Sequence, residues 1–91
     1  MNIREIESTV HDTGFTFEKY RDFSGITDRY RYNHNVLING PYRLVATNRN
    51  RTLWNVMLES NGKLTTLFEK QKLADAIKLC TQERAGAVHE Q

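Results

Sequence analysis

The sequence holds one cysteine, Cys80, and no apolar run approaches the roughly 18 residues that are needed to cross a bilayer. A lone cysteine excludes an internal disulfide and any multi-cysteine zinc site. The N-terminal residues also lack the apolar segment of a secretory signal. We therefore expect a protein of the reducing cytoplasm, or one delivered to the cytoplasm of a host, with no membrane partner.

Patterns that carry catalysis are also missing. His11, His34 and His89 are spread over the chain, and no pair has the i, i+4 spacing that would place two imidazoles on one helical face for a metal. The sequence has no phosphate-cradling glycine loop, no serine elbow and no dense pair of carboxylates. Cys80 lies in helical phase with apolar residues, which favours a small buried side chain. We expect no enzyme, no cofactor, no metal and no small-molecule substrate.

What the sequence does contain is a polarised charge distribution. Its 91 residues form a single domain with a formal net charge of +2. Residues 19–52 hold seven cationic side chains against two acidic ones, a local net charge of +5, whereas residues 1–18 have a net charge of −3 and residues 53–91 are balanced. Tyr30, Tyr32 and Tyr42 lie among the arginines of this central region. Such a composition is typical of surfaces that neutralise phosphates and stack on planar rings.

Apolar periodicity predicts the helices. Ile3, Ile6 and Val10 share one face of a helix over residues 2–11, and a second helix is expected from near Glu69 to about Arg84. The spacing of Thr66 and Glu69 also fits a capping box, which would start that helix at residue 67. Residues 85–91 should fray. The aromatic segment at residues 15–23, which ends at Ser24-Gly25, fits neither helix nor strand clearly.

Strands are predicted between these helices, where β-branched and aromatic residues dominate. Asn39-Gly40-Pro41 and Asn61-Gly62 are turn sequences, and the polar tetrad at residues 48–51 is typical of a hairpin loop. They separate extended segments at residues 29–38, 42–47, 52–59 and 63–68. The predicted fold is α+β, with an antiparallel meander sheet of three to four strands and an N-terminal and a C-terminal helix packed on one face.

The loop at residues 48–51 is the first candidate binding element. It consists of Asn48, Arg49, Asn50 and Arg51, and both residue types can donate to phosphate oxygens or contact base edges. Its charge agrees in sign with that of Arg43, on the preceding strand. The alternative is that the asparagines only form the turn while the arginines keep it soluble.

The alternation Arg29-Tyr30-Arg31-Tyr32 is the second candidate, because in a strand the two arginines share one face and the two tyrosines share the other. If the tyrosines face the core, Arg29 and Arg31 form a cationic stripe on the open sheet face. If the strand lies at a sheet edge, the same arginines serve to discourage edge-to-edge association.

Trp54 is expected in the core, because it shares a strand face with Val56 and Leu58. Leu53 and Met57 then lie on the open face of the sheet. There they are either covered by the aromatic segment at residues 15–23 or exposed as an apolar patch for a protein partner.

The order of a helix, a meander and a helix resembles the double-stranded-RNA-binding domain, and a three-stranded sheet followed by a helix is similar to the DNA-binding arms of some integrases. Residues 65–71 contain only Lys70 where the RNA-binding family has a lysine cluster, so no functional residue is transferred from that family. The size and composition are similar to those of small bacteriophage accessory proteins.

Two functions follow from these patterns. The first is a non-enzymatic module that binds DNA or RNA, with Arg43, Arg49 and Arg51 on phosphates and Arg29 and Arg31 extending the contact. The second is a small phage-type protein that binds a host protein and inhibits or redirects it.

Overall fold

The computed structural model describes residues 1–22 and 29–89. Within these ranges, two helices flank five strands. The elements are α1 (Ile3–Val10), β1 (Thr16–Asp22), β2 (Arg29–Asn39), β3 (Tyr42–Ala46), β4 (Trp54–Ser60), β5 (Lys63–Gln71) and α2 (Leu73–His89). Asn2 caps α1: its side-chain oxygen accepts from the Glu5 amide at 2.8 Å, while the Asn2 amide donates to the Glu5 carboxylate at 3.1 Å. This capping box satisfies two amides that a helix start leaves unpaired.

The strands form one antiparallel sheet in the order β1-β2-β3-β4-β5, so each strand pairs with its neighbour in sequence. Tight turns join β2 to β3 and β4 to β5. Gly40 has a φ of 59°, and Asn61 and Gly62 have φ values of 53° and 79°. In the β4-β5 turn both central residues, Asn61 and Gly62, have positive φ, which is the geometry of a primed hairpin turn and matches the twist of the paired strands. The predicted turns at Gly40 and at Asn61-Gly62 are confirmed.

The α+β class is confirmed, but the predicted number of three to four strands is wrong, because the sheet has five. The additional strand is β1, within the aromatic segment that fitted neither helix nor strand. Its pairing with β2 is irregular: Phe17 lies opposite Leu37 and Glu18 lies opposite Asn33, which leaves residues 34–36 without a partner in β1. Such a bulge breaks the two-residue alternation by which a strand is recognised in sequence. Phe23 and Ser24-Gly25, at the end of that segment, lie outside the described residues.

The predicted start of the C-terminal helix is also wrong. Strand β5 continues to Gln71, so Thr66 and Glu69 lie in the strand and do not cap a helix. The chain changes direction at Lys70, which has a φ of 52° and donates its amide to the Asn55 side chain at 3.0 Å. This contact with β4 keeps β5 extended to Gln71, past the residues at which the sequence pattern predicts the start of a helix. Helix α2 includes residues 85–89, and residues 90 and 91 lie outside the described part.

Buried side chains of both helices join those of the sheet in one hydrophobic core. The largest fully buried side chains are Trp54, Ile6, Leu37, Leu44 and Val56. Among the residues whose side chains are described, the other buried ones of the core are Val10, Phe15, Tyr42, Leu73, Ala76 and Cys80. Trp54 and Val56 share the core face of β4, with Leu58 packed against them, as the alternation indicates. No helix in the described ranges combines the length and apolarity that a bilayer crossing requires.

Candidate nucleic-acid interface

The β1-β2 hairpin extends past the rest of the sheet. Residues 18–22 of β1 pair with residues 29–33 of β2, whereas the last pair of β2 with β3 in this direction is Val36 with Val45. We call these two paired segments the arm. Among the described residues, none of the arm is part of the buried core. The arm therefore projects from the end of the sheet at which the β3-β4 loop lies, in a molecule measuring 50 × 30 × 23 Å.

One side of the arm combines cations with tyrosines. Lys19 lies opposite Tyr32 in the strand register, and Arg21 lies opposite Tyr30. The Lys19 Nζ is 4.2 Å from the centroid of the Tyr30 ring, and the Arg21 Cζ is 5.9 Å from it. Tyr30 and Tyr32 are 59% and 51% exposed. We call these four residues the cation–tyrosine patch, and they offer a positive charge beside aromatic rings that solvent can reach.

The other side of the arm is closer to electrical balance. Tyr20 lies opposite Arg31, and Arg29 lies opposite Asp22. The Arg31 Nε is 2.6 Å from the Asp22 carboxylate. Arg29 and Arg31 thus face away from the two tyrosines, as strand alternation requires, but part of their charge is compensated within the arm. Tyr20 is 47% exposed on this side.

The β3-β4 loop lies at the base of the arm and is held by Asn48. Its side-chain oxygen accepts from the amides of Thr52 and Leu53 at 3.0 and 3.3 Å, and its amide nitrogen donates to the Thr52 hydroxyl at 2.6 Å. The Thr47 amide donates to the Leu53 carbonyl at 2.9 Å and closes the loop. The Asn48 side chain is therefore committed to the shape of the loop rather than to a ligand.

The two arginines of this loop differ in freedom. Arg51 has a φ of 54°, its carbonyl accepts from the Trp54 indole at 3.1 Å, and its Nε donates to the Asn35 side chain at 2.9 Å. The Asn50 carbonyl accepts from the N-terminal ammonium of Met1. Arg49 is exposed, and its side chain has no hydrogen bond or ion pair with any described residue. Arg49 is thus the loop cation most available to a ligand.

Arg43 lies apart from the other candidate residues. It pairs with Ile38 and Met57 near the β2-β3 turn, at the end of β3 that is distant from the loop. Its guanidinium donates to the Gly40 carbonyl at 2.6 Å and to the Tyr42 carbonyl at 3.1 Å. A carboxylate oxygen of Glu59 lies 4.0 Å away. The structure therefore groups Arg29, Arg31 and residues 48–51 at one end of the molecule, whereas Arg43 is used within the fold at the other end.

Sequence reasoning did not select Lys19 and Arg21 as site residues, although both lie in the cationic region. The i, i+2 spacing of two cations around Tyr20 was the available signal, since it places both cations on one face of a strand. Recognising it requires that β1 be identified as a strand, and the bulge after Phe17 concealed that.

A groove of about 530 Å³ separates the C-terminal half of α1 from the base of the arm. Its apolar and aromatic lining includes Val10, Phe15, Phe17, Tyr32 and His34, and the His34 ring meets the Phe17 ring edge to face at 4.9 Å. Glu7, His11 and Asp12 line its polar part, with the His11 Nδ1 at 3.2 Å from the Asp12 carboxylate. In the described ranges, no three His, Cys, Asp or Glu side chains are grouped closely enough to hold a metal ion.

Comparison of the chain with protein-family models, with curated proteins and with solved structures finds no match.

Proposed function

We propose that this protein is a non-enzymatic nucleic-acid-binding module that works in the cytoplasm, its own or that of a host. The arm and the loop at residues 48–51 form the contact surface. The observation that carries this proposal is the exposed Tyr30 ring, which has the Lys19 ammonium 4.2 Å from its centroid. Both residues belong to the arm, whose described residues contribute nothing to the core. Cations that neutralise phosphates beside rings that stack on bases are the two components of single-strand recognition.

The position of Arg49 supports the same surface. It lies on the loop at the base of the arm, and its side chain is exposed. Arg29 and Arg31 lie on the arm itself and extend the contact around its second side, with Arg31 held in place by Asp22. In this arrangement a nucleic-acid strand that runs along the arm contacts cations over most of the length of the arm, whereas Arg43 lies outside the contact.

The test compares charge-matched variants in a titration of a fluorescent oligonucleotide at several salt concentrations. Lys19→Ala and Arg49→Ala each remove one positive charge from the proposed surface. Lys63→Ala removes the same charge from an exposed position beside the β4-β5 turn, at the opposite end of the sheet. Because each phosphate contact releases nearly one counterion, Lys19→Ala and Arg49→Ala should each flatten the slope of log affinity against log salt by about one unit.

The control variant should bind with nearly the same slope as the unaltered protein, and all variants should keep their melting temperatures. Equal slopes for Lys63→Ala, Lys19→Ala and Arg49→Ala would place the contact elsewhere. If the unaltered protein binds neither duplex nor single strand at roughly 50 mM salt, where phosphate contacts are strong, the proposal fails.

A second candidate function is inhibition or redirection of a host protein, as small phage proteins do. One observation favours it: the sheet face opposite the helices has half-buried aliphatic side chains, among them Val36, Ile38, Val45 and Met57. An apolar sheet face of this kind is suited to protein contact. In this case the protein would ignore generic nucleic acid and co-purify with one partner, and Met57→Lys would release that partner whereas Lys63→Ala would not.

A further inference from the structure

We propose that the groove between α1 and the arm receives one unstacked base of a single strand, while the adjoining phosphates lie along the cation–tyrosine patch. This inference rests on the proposed nucleic-acid function and specifies how one of its contacts is made. It assigns a ligand of defined chemistry, an aromatic base that carries an exocyclic amino group, to a cavity that the phosphate contacts leave unused.

The groove and the patch are continuous through Tyr32. This residue lines the groove and lies opposite Lys19 in the register of the arm. The Lys19 ammonium lies over the ring of Tyr30, two residues from Tyr32 on the same side of the arm. A strand whose phosphates contact Lys19 brings its bases to the side of the arm on which the groove opens.

The lining of the groove suits a flat aromatic ring. Tyr32, which is half exposed, offers a ring at the entrance, and Phe17 and His34 form a wall through their edge-to-face contact. A volume of about 530 Å³ falls within the roughly 300 to 1,000 Å³ of sites that enclose small molecules. Stacking of a base on such side chains depends on no particular sequence, since every base has a π face.

The polar part of the groove determines which end of a nucleotide enters. Glu7 and Asp12 place carboxylates there, with His11 beside Asp12. Carboxylates repel a phosphate, but they accept hydrogen bonds from the exocyclic amino group of cytosine. The base therefore enters while the backbone remains at Lys19, and a base with an exocyclic amino group is preferred over thymine or uracil.

The experiment measures the affinity of the full chain for short oligonucleotides by fluorescence anisotropy. Three strands of equal length are compared: oligo-dC, oligo-dT, and an abasic strand that keeps every phosphate. Loss of the one base in the groove should weaken binding about 5- to 150-fold, the equivalent of ~1 to 3 kcal/mol, so oligo-dC should bind more tightly than the abasic strand, which also loses stacking on Tyr30, by at least that factor. Oligo-dT should lie between the two.

Two variants address the groove itself. Thr16→Trp fills it from an exposed position at the start of β1 and should weaken oligo-dC binding by the same roughly 5- to 150-fold that one stacked base contributes. Thr66→Trp, at an exposed site on β5, is its control. Glu7→Gln should remove most of the preference for dC over dT, whereas Glu69→Gln, which removes the same charge from an exposed position outside the groove, should leave that preference intact.

The outcomes separate this inference from the function on which it rests. If the abasic strand binds as tightly as oligo-dC while Lys19→Ala still weakens both, the groove holds no base and the phosphate contacts stand. An unchanged preference for dC in Glu7→Gln, with Thr16→Trp also binding oligo-dC normally, overturns the inference as well. Absence of binding to every strand removes the inference together with the proposed function. If Thr16→Trp does not fold, as judged by circular dichroism, Glu7→Gln decides alone.

Discussion

At the scale of single residues, Trp54 connects the core to the candidate interface. Its side chain is fully buried, and its indole N–H donates to the carbonyl of Arg51. Arg51 has a positive φ, which costs a non-glycine residue free energy unless the surroundings fix it. The buried indole supplies that fixation, because an unpaired N–H in the core would be costly. The loop that carries Arg49 is thereby held from beneath by the core.

Cys80 gives a prediction on pH at the same scale. Burial raises the pKa of its thiol to about 11, from 9.0 for an exposed cysteine, with Arg84 acting to lower it and Glu83 to raise it. The folded protein therefore holds this proton more tightly than the unfolded chain does. The resulting stability is fully present below pH 9 and is lost as pH rises toward 11. We expect the free energy of unfolding, measured in urea, to decrease across this interval.

The variant Cys80→Ala should show a smaller decrease over the same interval. Some decrease should remain, because burial also raises the pKa of Tyr42, followed by the effect of Glu83. Labelling of the thiol by a disulfide reagent at pH 8 supplies an independent control: it should be about 100-fold slower in the folded than in the unfolded protein, since only the thiolate reacts. Identical pH dependence in the two proteins would contradict the assignment of Cys80 to the core.

At the scale of elements, the sequence predicts well where the determining interactions are local. Asn61-Gly62 sets its own turn, and the alternation of Trp54, Val56 and Leu58 identifies the core face of β4. Strand β1 was missed because its register shift after Phe17 depends on β2. The start of α2 was misplaced because the bond from the Lys70 amide to Asn55 is a tertiary contact that overrides a local capping pattern.

The same distinction applies to the candidate site. The position of Arg49 on an exposed loop follows from local sequence, because a polar tetrad between two strands forms a turn. The approach of Lys19 to Tyr30 depends on the register between two strands, and the separation of Arg43 from the loop depends on the direction of β3. Residue spacing alone predicts neither of these two features. Charge composition therefore identifies the cationic region of the sequence but not which of its residues share one surface.

A pair of glycine substitutions tests the elements that flank the core. Gly62 has a φ of 79° in the β4-β5 turn, and Gly86 lies in α2; a Cβ added at either position would meet no atom within 4 Å. Gly62→Ala should therefore destabilise the protein by about 1 kcal/mol through backbone strain alone. Gly86→Ala should stabilise it by about 0.5 to 1 kcal/mol, because alanine is the better helix former. Urea unfolding followed by circular dichroism measures both.

Both variants add the same methyl group to open space, so the opposite signs expected for the two changes in stability report the difference in backbone conformation between the two positions. Destabilisation of similar size at both positions would show that residue 86 is not helical in solution. A neutral effect at Gly62 would show that the turn relaxes to a conformation with negative φ.

At the scale of the whole molecule, the acidic and the cationic segments of the sequence contribute charges of opposite sign to neighbouring parts of the surface. The acidic first segment supplies Glu7 and Asp12 to the groove, and the cationic segment supplies Lys19 and Arg21 to the arm next to it. The Cα radius of gyration is 14.2 Å, whereas a compact chain of this length has ~12 Å. The arm contributes to this larger radius, because it projects from the end of the sheet and its described residues lie outside the core.

This division between core and arm leads to the last prediction. Lys19 and Tyr32 are opposite each other in the register, so an Asn-Gly dipeptide that replaces residues 20–31 closes the hairpin with a two-residue turn. Every residue of the described core is retained. We expect the shortened protein to fold with a free energy of unfolding close to that of the original, because the replaced segment contributes no residue to the described core.

The shortened protein should be more compact in small-angle scattering and should lose most of its affinity for nucleic acid, since Arg21, Arg29, Tyr30 and Arg31 are removed together. A control of full length carries Arg21→Gln, Arg29→Gln and Arg31→Gln together, so that loss of the cationic side chains is separated from loss of the rings of Tyr20 and Tyr30. If the shortened protein bound oligonucleotides as tightly as the original, the arm would not be the contact surface. If it failed to fold, the arm would be part of the folding unit, and the separation of core from interface proposed for this molecule would be wrong.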